Sequence, residues 1–442
     1  MSDADIFPTL AVLVAGTIIL VVAQTRLTQI EARWAAVSFV AHVLSSFVQL
    51  WMVLSVYGIG DMLMYHGVGI DLAHAMRSDF FGVAPQVVLA VLQQPYNLSI
   101  FIPAAGSATG SMCALVGIAS VALGDSLMAV NLSFALAAFF GKLLLYGAFR
   151  PSLGERTRSV TLVAMLLVPS SVFWSAGILK EAVAMPGLGL YALGLERMMA
   201  RSQWGVVAFV IGGIVLAIAK PYILVALVPA TGLYLYWRRT ARRGGVEFRP
   251  LTLAFGAAVT VFGLLVIGEL SPRFSMDRIA EETARMQAAS ANPTAGSGYA
   301  IGDPNERTLF GQLGYAPFAL FTALFRPLPP EVRNPQMAVS ALENVALLAM
   351  TLWVFVRNPI RRLWQQFVRY PYLALCATFV LVFGVAVGLT SVNLGTLSRY
   401  RIPLMPFRGM ILAVLAQPSP VTSMGPQQRA VRVGRLPAGG SA

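Results

Sequence analysis

The 442-residue chain is 57% hydrophobic and only 12% charged, with a mean hydropathy of +0.72. A soluble domain carries roughly 25% charged residues, so this composition excludes a chain that covers itself with a water-facing surface. The net charge of +13 does not point to a nucleic-acid partner, because the basic residues gather in short segments between apolar runs, as topology signals do.

Apolar runs fall at 6–24, 34–57, 127–149, 159–179, 182–196, 203–219, 222–237, 251–268, 337–356, 371–391 and 403–416, with weaker ones at 84–94 and 109–123. At roughly 20 residues per crossing, they predict an all-α polytopic transmembrane bundle of about 11–13 spans. Residues 1–416 form this membrane domain, with external loops at 58–108 and 269–335. The Pro/Gly/Ser/Arg-rich segment 417–442 reads as a disordered cytoplasmic tail. The first run follows Asp3 and Asp5 with no basic segment, so it reads as a retained span. Pro85, Pro95 and Pro103, with Gly106 and Gly110, break the next stretch into a re-entrant piece, a surface helix or a short tilted crossing, and the number of crossings between 58 and 150 stays open. Within 269–335 an amphipathic helix is predicted at 276–289. The interrupted apolar stretch 310–325 and the Pro-rich 326–330 then read as a membrane-dipping segment or a lid. Cys113 and Cys376 lie in apolar runs as packing residues, with no metal-ligand spacing.

Arginine sets the orientation. Arg150, Arg156 and Arg158, the cluster Arg238 to Arg249, the cluster Arg357 to Arg369, and Arg429, Arg432 and Arg435 mark the cytoplasmic side. Segments 58–108, 180–181, 220–221, 269–335 and 392–402 then face outward.

Four outward pieces carry ionisable groups. Asp61 follows a long apolar run, with Tyr65 and His66 one turn later and Asp71, His74, Arg77 and Asp79 beyond; these read either as a surface helix or as a site built on Asp61 as general base. Lys180 and Glu181 end a Ser-rich, aromatic segment containing Phe173 and Trp174, read either as a snorkelling pair or as a phosphate site beside a sugar-stacking ring. The chain has three lysines against 29 arginines, and two of the three lie at these outer boundaries. Lys220-Pro221-Tyr222 starts a new helix whose positive end favours an anion. Arg399-Tyr400-Arg401 opposes the positive-inside trend, and arginine's planar fork suits phosphate oxygens. Arg326 reads as a headgroup contact, His42 as a helix–helix hydrogen-bond partner, and His42, Asp125 and Lys142 as the deeper polar groups. No Walker loop, dinucleotide fingerprint, paired CxxC or HExxH is present.

In their order, Gly60-Asp61…Tyr65-His66, Pro169-Ser-Ser-Val-Phe-Trp-Ser-Ala-Gly-Ile-Leu-Lys180-Glu181, Lys220-Pro221-Tyr222 and Ser398-Arg-Tyr-Arg-Ile-Pro403 resemble the GT-C-type membrane glycosyltransferases and the related Wzy-like polysaccharide polymerases of bacteria. The resemblance implies an inverting transferase acting at the outer face of the inner membrane in cell-surface polysaccharide assembly, such as exopolysaccharide or O-antigen. Its substrates would be saccharides on undecaprenyl phosphate or pyrophosphate, and its partners membrane lipids and other polysaccharide-assembly proteins. It carries the catalytic base onto Asp61 and substrate binding onto Tyr65, His66, Lys180, Glu181, Lys220, Tyr222, Arg399, Tyr400 and Arg401. In that family the acid is often doubled by a nearby carboxylate. Here Asp61 stands alone in its segment, no metal ligands are assigned, and dependence on a divalent cation is left open. A lipid-linked glycan flippase is the alternative; it needs no base but wants charges deep within spans.

Overall fold

The computed structural model describes residues 3–242, 314–391 and 393–417, together with Tyr299, Ile301 and Gly311. These residues are helical, and among them there is no β-strand. Five helical stretches are long and apolar enough to cross a bilayer: Asp5–Gln24, Gln29–Tyr57, Leu127–Ser152, Pro335–Arg357 and Tyr372–Thr390. Large apolar side chains such as Phe7, Ile18, Leu44, Trp51, Leu352 and Phe355 line their outward faces. That much exposed hydrocarbon suits a lipid solvent better than water. The predicted run 251–268 and helix 276–289 lie outside the described residues, as does the tail beyond Gln417.

Helix α1 (Asp3–Gln24) turns into α2 (Gln29–Met52) at a capping box, where the Thr28 hydroxyl accepts from Glu31 N and Thr28 N donates to the Glu31 carboxylate at 2.7 Å. Glu31 is fully buried and also takes two hydrogen bonds from Arg150, both 2.8 Å, at the end of α6 (Leu127–Phe149). Nearby polar ties define the same end of the bundle. Glu196 on α9 (Lys180–Met199) pairs with Arg238 on α11 (Pro221–Arg242) at 2.8 Å. Asn358 and Arg362 bond to carbonyls of Leu415 and Gln417. We call this the arginine end.

Packing between helices relies on small residues. α9 crosses α10 (Gln203–Ala219) so closely that a Cβ on Gly194 would sit 2.2 Å from Phe209 N, and one on Gly212 2.3 Å from Tyr191 N. Such contact replaces the hydrophobic drive that is missing between helices in lipid. α12 (Ala316–Phe325) meets α15 (Tyr372–Thr390) in the same way at Gly388, whose Cβ would fall 2.1 Å from Ala319 O. The expected dipping segment or lid at 310–325 is therefore, over α12, a packed part of the bundle. The predicted run 159–179 is interrupted: α7 (Glu155–Leu166) ends, and α8 (Pro169–Trp174) starts at Pro169, which has no N–H to continue a helix.

The stretch 58–108 is helical as well. α3 (Asp61–Ser78) and α5 (Ala108–Leu123) run parallel, with Gly69 against Val116 and Gly117 against Leu72, and α4 (Phe80–Val91) returns between them. Their far termini meet at Asp125, which pairs with His74 at 2.7 Å and Arg77 at 3.1 Å. Asp125 is half exposed, not one of the deeper polar groups expected from its position between apolar runs. Of the helices between 58 and 150, α6 alone joins the two ends of the bundle. It starts where Asn131 bonds Ser46 and finishes at Glu31, so this stretch passes from one end of the bundle to the other.

The remaining helices are α13 (Pro335–Arg357), α14 (Ile360–Arg369), α16 (Leu394–Tyr400) and α17 (Met405–Ala416), the last buried on nearly all sides.

Candidate functional site

Opposite the arginine end, four chain segments far apart in sequence converge. Gly58 (φ +68°) and Gly60 (φ +153°) allow the chain to leave the end of the α2 run and restart as α3 at Asp61. α9 begins at Lys180-Glu181, α11 begins directly after Lys220, and α16 delivers Arg399 in its last turn.

The charges form a chain. Arg399 Nη1 donates to Asp61 Oδ2 at 3.0 Å, and its Nε lies 3.1 Å from Glu181 Oε2. Glu181 Oε1 accepts from Lys220 Nζ at 2.6 Å. The Lys220 ammonium also lies 4.9 Å from the ring centre of Tyr400 and 5.7 Å from that of Tyr222, and Tyr222 stacks on Phe383. Glu181 and Lys220 are buried, whereas the Asp61 side chain is 48% exposed. Burial of opposite charges is tolerable here because each meets a partner within contact distance.

Beside Asp61 opens a small cleft of about 120 Å³, lined by Asp61 and Arg399 together with Tyr57, Met62, Phe173 and Trp174. Phe173 and Trp174 meet edge to face at 5.1 Å between ring centres. Tyr57 donates to Gln336, bringing the start of α13 to the rim. An exposed carboxylate beside a guanidinium and aromatic rings gives the cleft one proton acceptor and a surface suited to a sugar face.

Several expected residues are placed differently. Lys180 is not paired with its neighbour Glu181; its ammonium bonds Thr109 Oγ1 at 2.8 Å, and among the described residues it has no carboxylate partner. Tyr65 is buried under the cluster and contributes no exposed surface. His66 is buried on another face of α3, where its charged neighbours are Asp125 and Asp5; it does not join the Asp61 group. Arg401 is fully buried and turns away from Arg399, donating to Arg326 O at 2.9 Å. Two residues along a helix point about 200° apart, so adjacent arginines cannot share a ligand there. Arg326 is held by Glu331 and lies 4.9 Å over the Tyr299 ring. His74 and Arg77 are satisfied by Asp125, and Asp79 caps α4 by accepting from Gly82 N at 3.0 Å. Asp61 also has a carboxylate companion after all: Glu181, across the same guanidinium.

Some contributors were not picked out in the sequence. Asn131 accepts from Ile178 N at 3.0 Å and bonds Ser46, shaping the turn that presents Lys180 and Glu181. Gln49 donates to Phe173 O at 3.1 Å. Glu343 accepts from both Ser170 N and Ser170 Oγ at 2.6 Å, fixing the start of α8. Each is a polar side chain inside an apolar run, which is the available signal for all three.

No protein-family model, curated protein or solved structure matches this chain.

Proposed function

We propose that the chain is a polytopic membrane glycosyltransferase that extends glycans carried on a polyprenyl phosphate or pyrophosphate, either as a Wzy-like repeat-unit polymerase or as a GT-C-type transferase, at the outer face of a bacterial inner membrane. The observation that carries this reading is the meeting of Asp61, Arg399, Glu181 and Lys220 at one end of the bundle, beside an aromatic cleft and opposite the arginine end. Under the positive-inside rule the arginine end is cytoplasmic, so the cleft opens outward.

In this reading Asp61 Oδ2 is anchored by Arg399, and Oδ1 faces an acceptor hydroxyl. The hydroxyl oxygen forms the new bond to the anomeric carbon while its proton passes to Asp61. The bond from that carbon to the carrier phosphate breaks, and the phosphate leaves with the electron pair, inverting the centre. Arg399 and Lys220 are neutralised by Asp61 and Glu181, so Lys180 is the cation best placed to receive the leaving phosphate. The test is polymer synthesis by Asp61→Asn in a strain lacking the wild-type copy. Loss of polymer at normal protein level is expected, and normal polymer would remove Asp61 from the site.

A lipid-linked glycan flippase is the second reading, favoured by one observation. Lys142 is fully buried within the bundle and donates to His42 Nε2 at 3.1 Å, Ser171 O at 2.9 Å and Ser175 Oγ at 2.8 Å, with no acid among these partners. A transporter would lose activity in Lys142→Met and keep it in Asp61→Asn; the transferase predicts the reverse.

A further inference from the structure

Arg401 and Arg408 lie seven residues apart, where the chain passes from α16 into α17. Both reach the C-terminal end of α12: Arg408 Nη1 donates to Leu324 O at 2.5 Å and Arg401 Nη1 to Arg326 O at 2.9 Å. Capping those carbonyls uses one edge of each guanidinium. The Arg408 guanidinium also stacks 4.7 Å over the Phe325 ring. Arg401 Nε and Nη2 and Arg408 Nη2 are buried and have no hydrogen-bond partner among the described residues. Arg401 is 0% exposed and Arg408 5%. Glu343, an acid whose charge acts on both, has its carboxylate bonded to Ser170. Two buried guanidinium groups with open donors and, among the described residues, no ion-pair partner are costly, and they are the expected complement of an anion.

Arg408 also forms part of the wall of a cleft of about 510 Å³ between α12, α13, α14, α15 and α17. Apart from Arg408 and Thr351 its lining is apolar, running from Leu324 and Phe325 beside Arg408 to Trp364 and Leu415 toward the arginine end. The cleft thus has a cation at one end and hydrocarbon-like walls along its length. It shares no lining residue with the cleft at Asp61.

We infer that this cleft holds a phospholipid, its phosphate on Arg408 and one acyl chain between α14, α15 and α17. The unpaired cation at the head of an apolar channel selects an anionic amphiphile over a neutral one. The separation from Asp61 selects a resident lipid over a reacting carrier. The inference requires only that the chain lies in a bilayer, not that it transfers sugars.

The experiment is native mass spectrometry of the full chain, delipidated in detergent and titrated with dioleoyl phosphatidylglycerol, dioleoylglycerol or glycerol phosphate. Phosphatidylglycerol should bind, with dioleoylglycerol and glycerol phosphate each at least tenfold weaker. Arg408→Gln should weaken phosphatidylglycerol about tenfold, while Arg408→Lys keeps most of it. Ala377→Trp, which fills the cleft and leaves both arginines in place, should also lose the lipid. Equal binding of dioleoylglycerol, or unchanged binding in Arg408→Gln and Ala377→Trp, would overturn the inference. So would cysteine cross-linking of position 377 to the run 251–268, which would give the cleft a protein occupant. Asp61→Asn should bind lipid normally, so loss of transfer and loss of lipid report separately.

Discussion

Asp61 and Glu181 touch the same guanidinium but differ in surroundings, and their substitutions should separate accordingly. Asp61 is half exposed, so Asp61→Asn should change stability by no more than about 0.5 kcal/mol. Sugar transfer should nevertheless fall by about 100-fold or more, the usual worth of a positioned base. Glu181 is buried against Lys220, and Glu181→Gln leaves that ammonium without its carboxylate. A loss of about 3–5 kcal/mol is expected in detergent unfolding. Replacing both partners, Glu181→Met with Lys220→Met, should cost much less than the single change, because no lone buried charge remains. If the double variant is no more stable than Glu181→Gln, the ion pair is not what holds these helices at their positions. The residue types at this site were legible in sequence, since acids and lysines at the ends of apolar runs are conspicuous. Their pairing was not. Lys180 and Glu181 are adjacent in sequence, yet one reaches Thr109 on α5 and the other Lys220 and Arg399. Likewise Arg399 and Arg401, read together as one phosphate clamp, face opposite sides of their helix.

At the scale of elements, helix contacts depend on close backbone approach and on a few buried polar ties. Gly194→Leu should push α9 from α10, because the added side chain meets Phe209 backbone; about 1–3 kcal/mol or more is expected, read as a lower melting temperature. Gly213, on the same helix as Gly212 but with open space around its Cβ position, should accept alanine with little change. Glu31→Gln should loosen the junction of α2 and α6 by about 1–3 kcal/mol, since Arg150 loses a bidentate partner. The apolar runs at 34–57, 127–149, 337–356 and 371–391 each correspond to one long helix, because a continuous apolar stretch has few other ways to satisfy its backbone. The segment 58–108 was harder to read. Prolines and glycines mark its breaks but not the parallel packing of α3 on α5, which rests on Gly69 and Gly117 meeting across the interface.

For the molecule as a whole, the two ends differ in chemistry. One gathers Arg150, Arg238, Arg357, Arg361, Arg362 and Arg369; the other gathers Asp61, Lys180, Glu181, Lys220 and Arg399. Reporter fusions at residues 61, 245 and 300 should read outside, inside and outside; an inside signal at 61 would reverse the proposed orientation of the cleft. Composition and hydropathy alone determined that the described residues are helical and rich in apolar segments long enough to cross a membrane, because water solvates such a surface poorly. Arginine placement, a property of the linear chain, divided the loops into two sets. Only the tertiary structure decided which charges neutralise one another and which stay open, because that depends on side chains from segments more than 300 residues apart meeting at one guanidinium.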